Sequence, residues 1–192
     1  PLFDSAWDNS PKTSLVASGE EVGLKPHQMG SSEVGHMHIG AGRVVPQELT
    51  KLENSLESGA FYENFAFVET CCRVKKNDAA LHLLGIVSDG GVHSDEKHLH
   101  ALLKIARREG VERVFVHAFT DGRDAPPQSA RLYLSRLQKV IDGVNPDYRI
   151  ATVCGRLYLD RNNDFEITAK AVELLLAGRG QSADSFDNVL DT

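Results

Sequence analysis

Three short segments carry side chains suited to gripping a small anion: Ser88-Asp89-Gly90-Gly91-Val92-His93, Asp121-Gly122-Arg123-Asp124 and Cys154-Gly155-Arg156, with Arg161 soon after the third. Each contains glycine, which lets backbone approach a ligand closely, and each offers a cationic or cationisable group. Arginine presents a planar fork of donors matched to the oxygens of phosphate or carboxylate. Two or three such forks at one place describe a site for a small phosphorylated acid. Taken singly, an arginine in a loop is more often a surface ion-pair partner contributing about 0–1 kcal/mol. Asp124 either holds Arg123 in place or itself accepts a substrate hydroxyl.

A second constellation is Gly30-Ser31-Ser32-Glu33-Val34-Gly35-His36. It invites comparison with the nucleophile elbow of hydrolases, but the second glycine falls one residue late for Ser32 and no apolar strand precedes it. By pattern alone it reads as a glycine-rich loop. His36, His38, His93, His98 and His100 match no zinc spacing, and Cys71, Cys72 and Cys154 suggest neither a disulfide framework nor a metal site.

The elements that must position these segments alternate regularly. Leu81 to Val87 is an apolar run of strand length, followed by the first segment. A helix follows, with Ser94 as its expected N-cap, Asp95 and Glu96 in its first turn, a stripe of Leu99, Leu102, Leu103 and Ala106, and Gly110 as its end. Arg113 to Phe119 is the next strand, leading into the second segment. Leu134, Leu137 and Ile141 stripe a helix that Gly143 is expected to stop. Tyr148 to Val153 is a third strand and Phe165 to Leu176 a further helix. This order predicts an α/β fold with a parallel sheet and helices on its faces. In such sheets ligands bind beyond the carboxyl ends of the strands, where all three segments fall. Further upstream, Gln47 to Glu57 and Asn64 to Lys76 read as helices, while the first forty-odd residues are glycine-rich and irregular.

The chain of 192 residues is 41% hydrophobic and 25% charged, an ordinary soluble balance. Its net charge of -6 argues against a nucleic-acid surface, though not against a local arginine cluster. No apolar run reaches the roughly 20 residues needed to span a bilayer. The first residues lack the pattern of a secretory leader, so a cytoplasmic location is expected, with no membrane and no nucleic-acid partner.

The quoted segments resemble the cofactor-independent phosphoglycerate mutases. Gln28-Met29-Gly30-Ser31-Ser32-Glu33-Val34-Gly35-His36, followed by Ile39-Gly40-Ala41-Gly42-Arg43, is similar to that family's nucleophile segment. Ser88 to Ser94 and His117 to Asp124 are similar to two of its substrate segments. The resemblance implies an isomerase of glycolysis and gluconeogenesis that interconverts 3- and 2-phosphoglycerate through a phosphoserine. It implies Ser32 as nucleophile and manganese ligand, with His93, Arg123, Asp124, Arg156 and Arg161 as substrate contacts. It further implies that residues 1–46 are a strip of an alkaline-phosphatase-like domain holding two manganese ions. Residues 47–192 would then be most of a substrate-binding α/β domain, truncated at its carboxyl end. On this reading the chain is a central fragment, inactive alone, of an enzyme that works as a monomer. Ser31 stands where the family usually has Asn, His38 where Asn is usual, Asp95 where His is usual and Ala125 where Thr is usual. The alternatives are another phosphotransferase of the alkaline-phosphatase superfamily and a non-catalytic phosphate-binding module.

Overall fold

Apolar runs of seven residues become three parallel strands in the computed structural model, which describes residues 2–26, 28–160, 163–185, 188 and 190. They are β1 (Leu81–Val87), β2 (Val114–Thr120) and β3 (Arg149–Gly155), in the order β1-β2-β3. The chain divides into two units, Pro1–Glu53 and Asn54–Thr192. Among the described residues no helix is long and apolar enough to cross a membrane.

In the first unit lie α1 (Leu2–Asn9), α2 (Ser32–Ala41) and most of α3 (Glu48–Glu57). The glycine-rich stretch around Ser32 is therefore not a loop but a ten-residue helix. Ser31 caps it, its hydroxyl accepting the Val34 N–H at 3.3 Å, and Gly42 ends it in the left-handed region at φ 62°. Each interior glycine costs about 1 kcal/mol relative to alanine, and the caps at both ends offset part of that. Leu24 and Val34 are the buried hydrophobic side chains among the unit's described residues.

The second unit holds the sheet, α4 (Phe65–Lys76), α5 (Glu96–Arg108), α6 (Ala130–Val144), the short α7 (Leu157–Asp160) and α8 (Phe165–Ala177). Its core draws on alternate residues of β2, Val114, Val116 and Ala118, as period-two strands require. Against them pack Leu103 and Ile105 from α5 and Leu134, Leu137 and Ile141 from α6, all essentially without exposure. Tyr148, also fully buried, donates its hydroxyl to the Val111 carbonyl at 2.7 Å.

Two helix boundaries differ from the sequence expectation, each for a visible reason. Asp95, not Ser94, caps α5 by accepting the Lys97 N–H at 3.0 Å, because the Ser94 hydroxyl is already engaged by the Ile86 carbonyl at 2.8 Å. Gly143 does not stop α6, which continues to Val144 and closes with the Asn145 N–H on the Ile141 carbonyl.

Candidate functional site

The register of the sheet builds the site. Val87 is the partner of Thr120, and Thr120 of Gly155, so the three strands stop in line. Their next residues, Ser88, Asp121 and Arg156, therefore emerge side by side. The Ser88 hydroxyl donates to Asp121 Oδ2 at 2.8 Å. The N–H groups of Gly122, Arg123 and Asp124 donate to Asp121 Oδ1 at 2.8, 3.0 and 3.2 Å. Arg156 donates from Nη1 to Asp121 Oδ1 at 3.2 Å and to Asp124 Oδ2 at 2.6 Å. Its own N–H bonds the Thr120 carbonyl at 3.0 Å. The Arg156 and Asp121 side chains are 5% and 1% exposed, so these ions lie inside the fold. Burial pushes the Asp121 carboxyl up. The hydrogen bonds from the Arg123 N–H, the Ser88 hydroxyl and the Gly122 and Asp124 N–H groups outweigh it and hold the group well below its usual range.

The loop after β1 is seated against the loop after β2. A Cβ on Gly90 would stand 2.7 Å from the Asp124 carbonyl oxygen, so only glycine permits this approach. Asp89 is anchored from α6: Tyr133 donates to its Oδ1 at 2.5 Å and Arg136 to its Oδ2 at 3.2 Å. The bond to Asp89, aided by burial, pushes the Tyr133 hydroxyl up to about 12. Arg136 also binds Glu96 Oε1 at 2.9 Å. Burial raises the Glu96 carboxyl despite that bond. The same loop brings His93 Nε2 to 4.0 Å from Asp124 Oδ2, with its ring more than half exposed.

His93, Asp124 and Arg156 thus come together at one sheet edge. Arg123 shares the loop and lends its N–H to Asp121, while its side chain is exposed and pairs with none of the described residues. Of the two roles open to Asp124, pairing with Arg123 is not what is found; its partner is Arg156. The formal sum of Arg156 (+1), Asp121 (−1) and Asp124 (−1) is −1. Arg123 brings it to zero, and a protonated His93 to +1. An anion entering here finds its accessible positive charge on Arg123, with the His93 ring beside Asp124. A hydroxyl finds an acceptor in Asp124. Arg161 lies outside the described residues. A separate cavity of 550 Å³ lies beside β3, lined by Arg149 to Val153, Gly178 and residues 180–185 among others, and includes none of these side chains.

In the first unit Ser32 opens α2 with its hydroxyl exposed. His36 Nδ1 lies 2.7 Å from the Ser32 carbonyl and 3.2 Å from Ser32 Oγ. A carbonyl only accepts, so Nδ1 carries the proton there. His36 is thus a donor toward Ser32 rather than a base for it. Among the described residues no group of three or more His, Cys, Asp or Glu side chains is placed to hold a metal ion. The residues present do not by themselves fit a manganese site.

Sequence reasoning picked the arginines but passed over Asp121, Ser88 and Tyr133. An aspartate before glycine at a strand end is an Asx-turn signal that points to Asp121. Tyr133 and Arg136, in the middle of a helix, carry no local signal for Asp89.

Residues 52–192 match the family model described as BPG-independent PGAM N-terminus. The chain is 51% identical over 178 residues to the 2,3-bisphosphoglycerate-independent phosphoglycerate mutase of Moorella thermoacetica, covering 91% of this chain and 34% of that protein. It is 45% identical over 192 residues to the enzyme of the same name from Clostridium acetobutylicum, covering 100% and 38%. A crystal structure of Leishmania mexicana phosphoglycerate mutase at low cobalt concentration superposes with a TM-score of 0.79 at 33% identity, over 91% of this chain and 33% of that one. The chain spans about a third of the length of these relatives. With strand ends in line, a buried Arg156 held between Asp121 and Asp124 and a family match over most of its length, this chain belongs to the family of 2,3-bisphosphoglycerate-independent phosphoglycerate mutases.

Proposed function

We propose that the chain is the substrate-gripping part of a phosphoglycerate mutase that interconverts 3- and 2-phosphoglycerate through a phosphoserine in glycolysis and gluconeogenesis. The observation that carries this reading is the row of strand ends that sets Arg156, Asp124 and His93 together beside an exposed Arg123. The fork of Arg123 would take the carboxylate or phosphate oxygens of the substrate. Asp124, held by Arg156, would accept the glycerate hydroxyl. His93 would donate to an anionic oxygen nearby. Arg161 would add a further cation. Asp124, held by Arg156, is set before the ligand arrives, so little of its interaction is lost in ordering it.

Ser32 would be the residue that carries the phosphate and also a manganese ligand. Its place at the start of α2 supports this, because the first N–H groups of a helix and its dipole favour an anion there. When bound, manganese would help generate and orient the serine alkoxide. Since the described residues here form no such site, its other ligands would come from elsewhere in a longer polypeptide, and the chain alone is expected to be inactive. On the same reading residues 1–46 belong to that metal-holding domain and residues 47–192 to the substrate domain. The enzyme would act as a monomer in the cytoplasm.

The test uses the polypeptide that carries this chain at its natural length, assayed with manganese and 3-phosphoglycerate for both 2-phosphoglycerate and free phosphate. Mutase turnover lost in Ser32→Ala supports the reading. Release of phosphate without isomerisation would favour a phosphatase of the same superfamily. Arg123→Ala should weaken binding about ten- to a hundredfold, the worth of one charge-assisted hydrogen bond. Arg123→Lys should not restore it, since an ammonium lacks the fork. The 192-residue chain alone should bind phosphoglycerate with a dissociation constant of roughly millimolar order, given the cost of association.

A further inference from the structure

We propose that Asp121 is a positioning residue of the ligand site, the one carboxylate that sets the Asp124 and Arg156 side chains against each other. This rests on the phosphoglycerate reading above. With its side chain 1% exposed, Asp121 does not reach a ligand and acts only through its neighbours. Its Oδ1 gathers the N–H groups of Gly122, Arg123 and Asp124, three in succession. That curls the backbone around one oxygen and turns the Asp124 carboxylate back onto Arg156. The same oxygen takes Arg156 Nη1, so one atom fixes both the loop and the guanidinium. Oδ2 is held by Ser88, which ties the loop after β1 to this centre.

The charge matters as well as the shape. Asparagine has the size of aspartate, and its oxygen can still accept the three N–H groups. It cannot balance the guanidinium, and its amide would point donors at Ser88 or Arg156. Arg156 would then lose one of its two carboxylate counter-charges here and shift.

The experiment uses the polypeptide at its natural length, with kcat, KM for 3-phosphoglycerate and melting temperature measured for the parent, D121N, R156K and the double variant. D121N should raise KM about tenfold, with a smaller change in kcat. R156K should do the same, because an ammonium lacks the planar, delocalised fork that fills this buried place. The double variant should show about a tenfold rise rather than a hundredfold one, since both changes disturb one unit. A folded D121N with KM within twofold of the parent overturns the proposal, whatever its melting temperature. A fully multiplicative double variant overturns it too. If D121N does not fold, Ser88→Ala decides: a two- to fivefold rise in KM supports the role, and an unchanged KM overturns it. A parent that neither binds nor converts phosphoglycerate removes the functional reading and this role with it, whereas an active parent with an unaffected D121N removes the role alone.

Discussion

Ser32 and Arg156 both sit where regular structure meets a turn, yet the fold holds them by opposite means. Ser32 meets His36, four residues along α2, and its hydroxyl faces solvent. The guanidinium of Arg156 is buried and bonds Asp124 and Asp121, 32 and 35 residues away across the sheet. A locally held group can be reoriented by whatever docks on it. A group held by sheet register moves only if the sheet does.

The comparison can be broken at several points. Arg156→Ala should have the largest effect, destabilising the second unit by about 3–5 kcal/mol. It removes the cation that balances the buried Asp121 and the half-buried Asp124. Urea unfolding measures this, and a loss below 1 kcal/mol would show that the trio is solvated. Leu134→Ala, at a position with no exposure, should cost toward the upper part of the usual range of about 2–5 kcal/mol. Leu24→Ala in the first unit should cost no more than about 2 kcal/mol, because few buried neighbours surround the cavity it leaves. Equal losses would erase the contrast in packing.

Acid sharpens the second half of the comparison. The Asp121 carboxyl is depressed in the fold, so its stabilisation is fully present above its ordinary value of 3.8 and is lost as pH falls toward the folded value. The stability gap between the parent and Asp121→Asn should therefore narrow between pH 5 and pH 2 in urea titrations. A gap independent of pH would mean that the charge is not what stabilises. The smallest effects concern the caps. Ser31→Ala should cost about 1 kcal/mol, seen as faster amide exchange along α2. Asp95→Ala, at a 3% exposed residue, should cost more, up to about 2 kcal/mol, and lower the melting temperature.

The sheet was legible because continuous apolar runs such as Leu81–Val87 and glycine-bearing turns repeat in order. All three strands fall within two residues of where periodicity puts them. The convergence of Arg156 with Asp124 followed from topology, since parallel strands end on one side. What stayed hidden was which polar group serves which. Ser94 has the type of an N-cap, but its hydroxyl is claimed by Ile86, a contact no local pattern encodes. The α2 helix was hidden by its glycines, whose propensity argues against it, while its Ser31 cap and Gly42 terminus argued for it. Asp121 looked like a turn residue and is the centre of the network, because burial is decided by neighbours 33 and 35 residues distant.

The burial of Arg156 has a kinetic side. A guanidinium that sheds its water during folding need not shed it again when a ligand arrives, so on the proposed reading capture at this edge would depend on Arg123, which still faces solvent. Attraction toward an exposed charge reaches only about 8–10 Å at physiological salt and shrinks as salt is added. Ionic strength therefore acts on the rate at which an anion is found. On the same reading the residence of that anion, once settled at this edge, would be governed by contacts that added salt scarcely reaches.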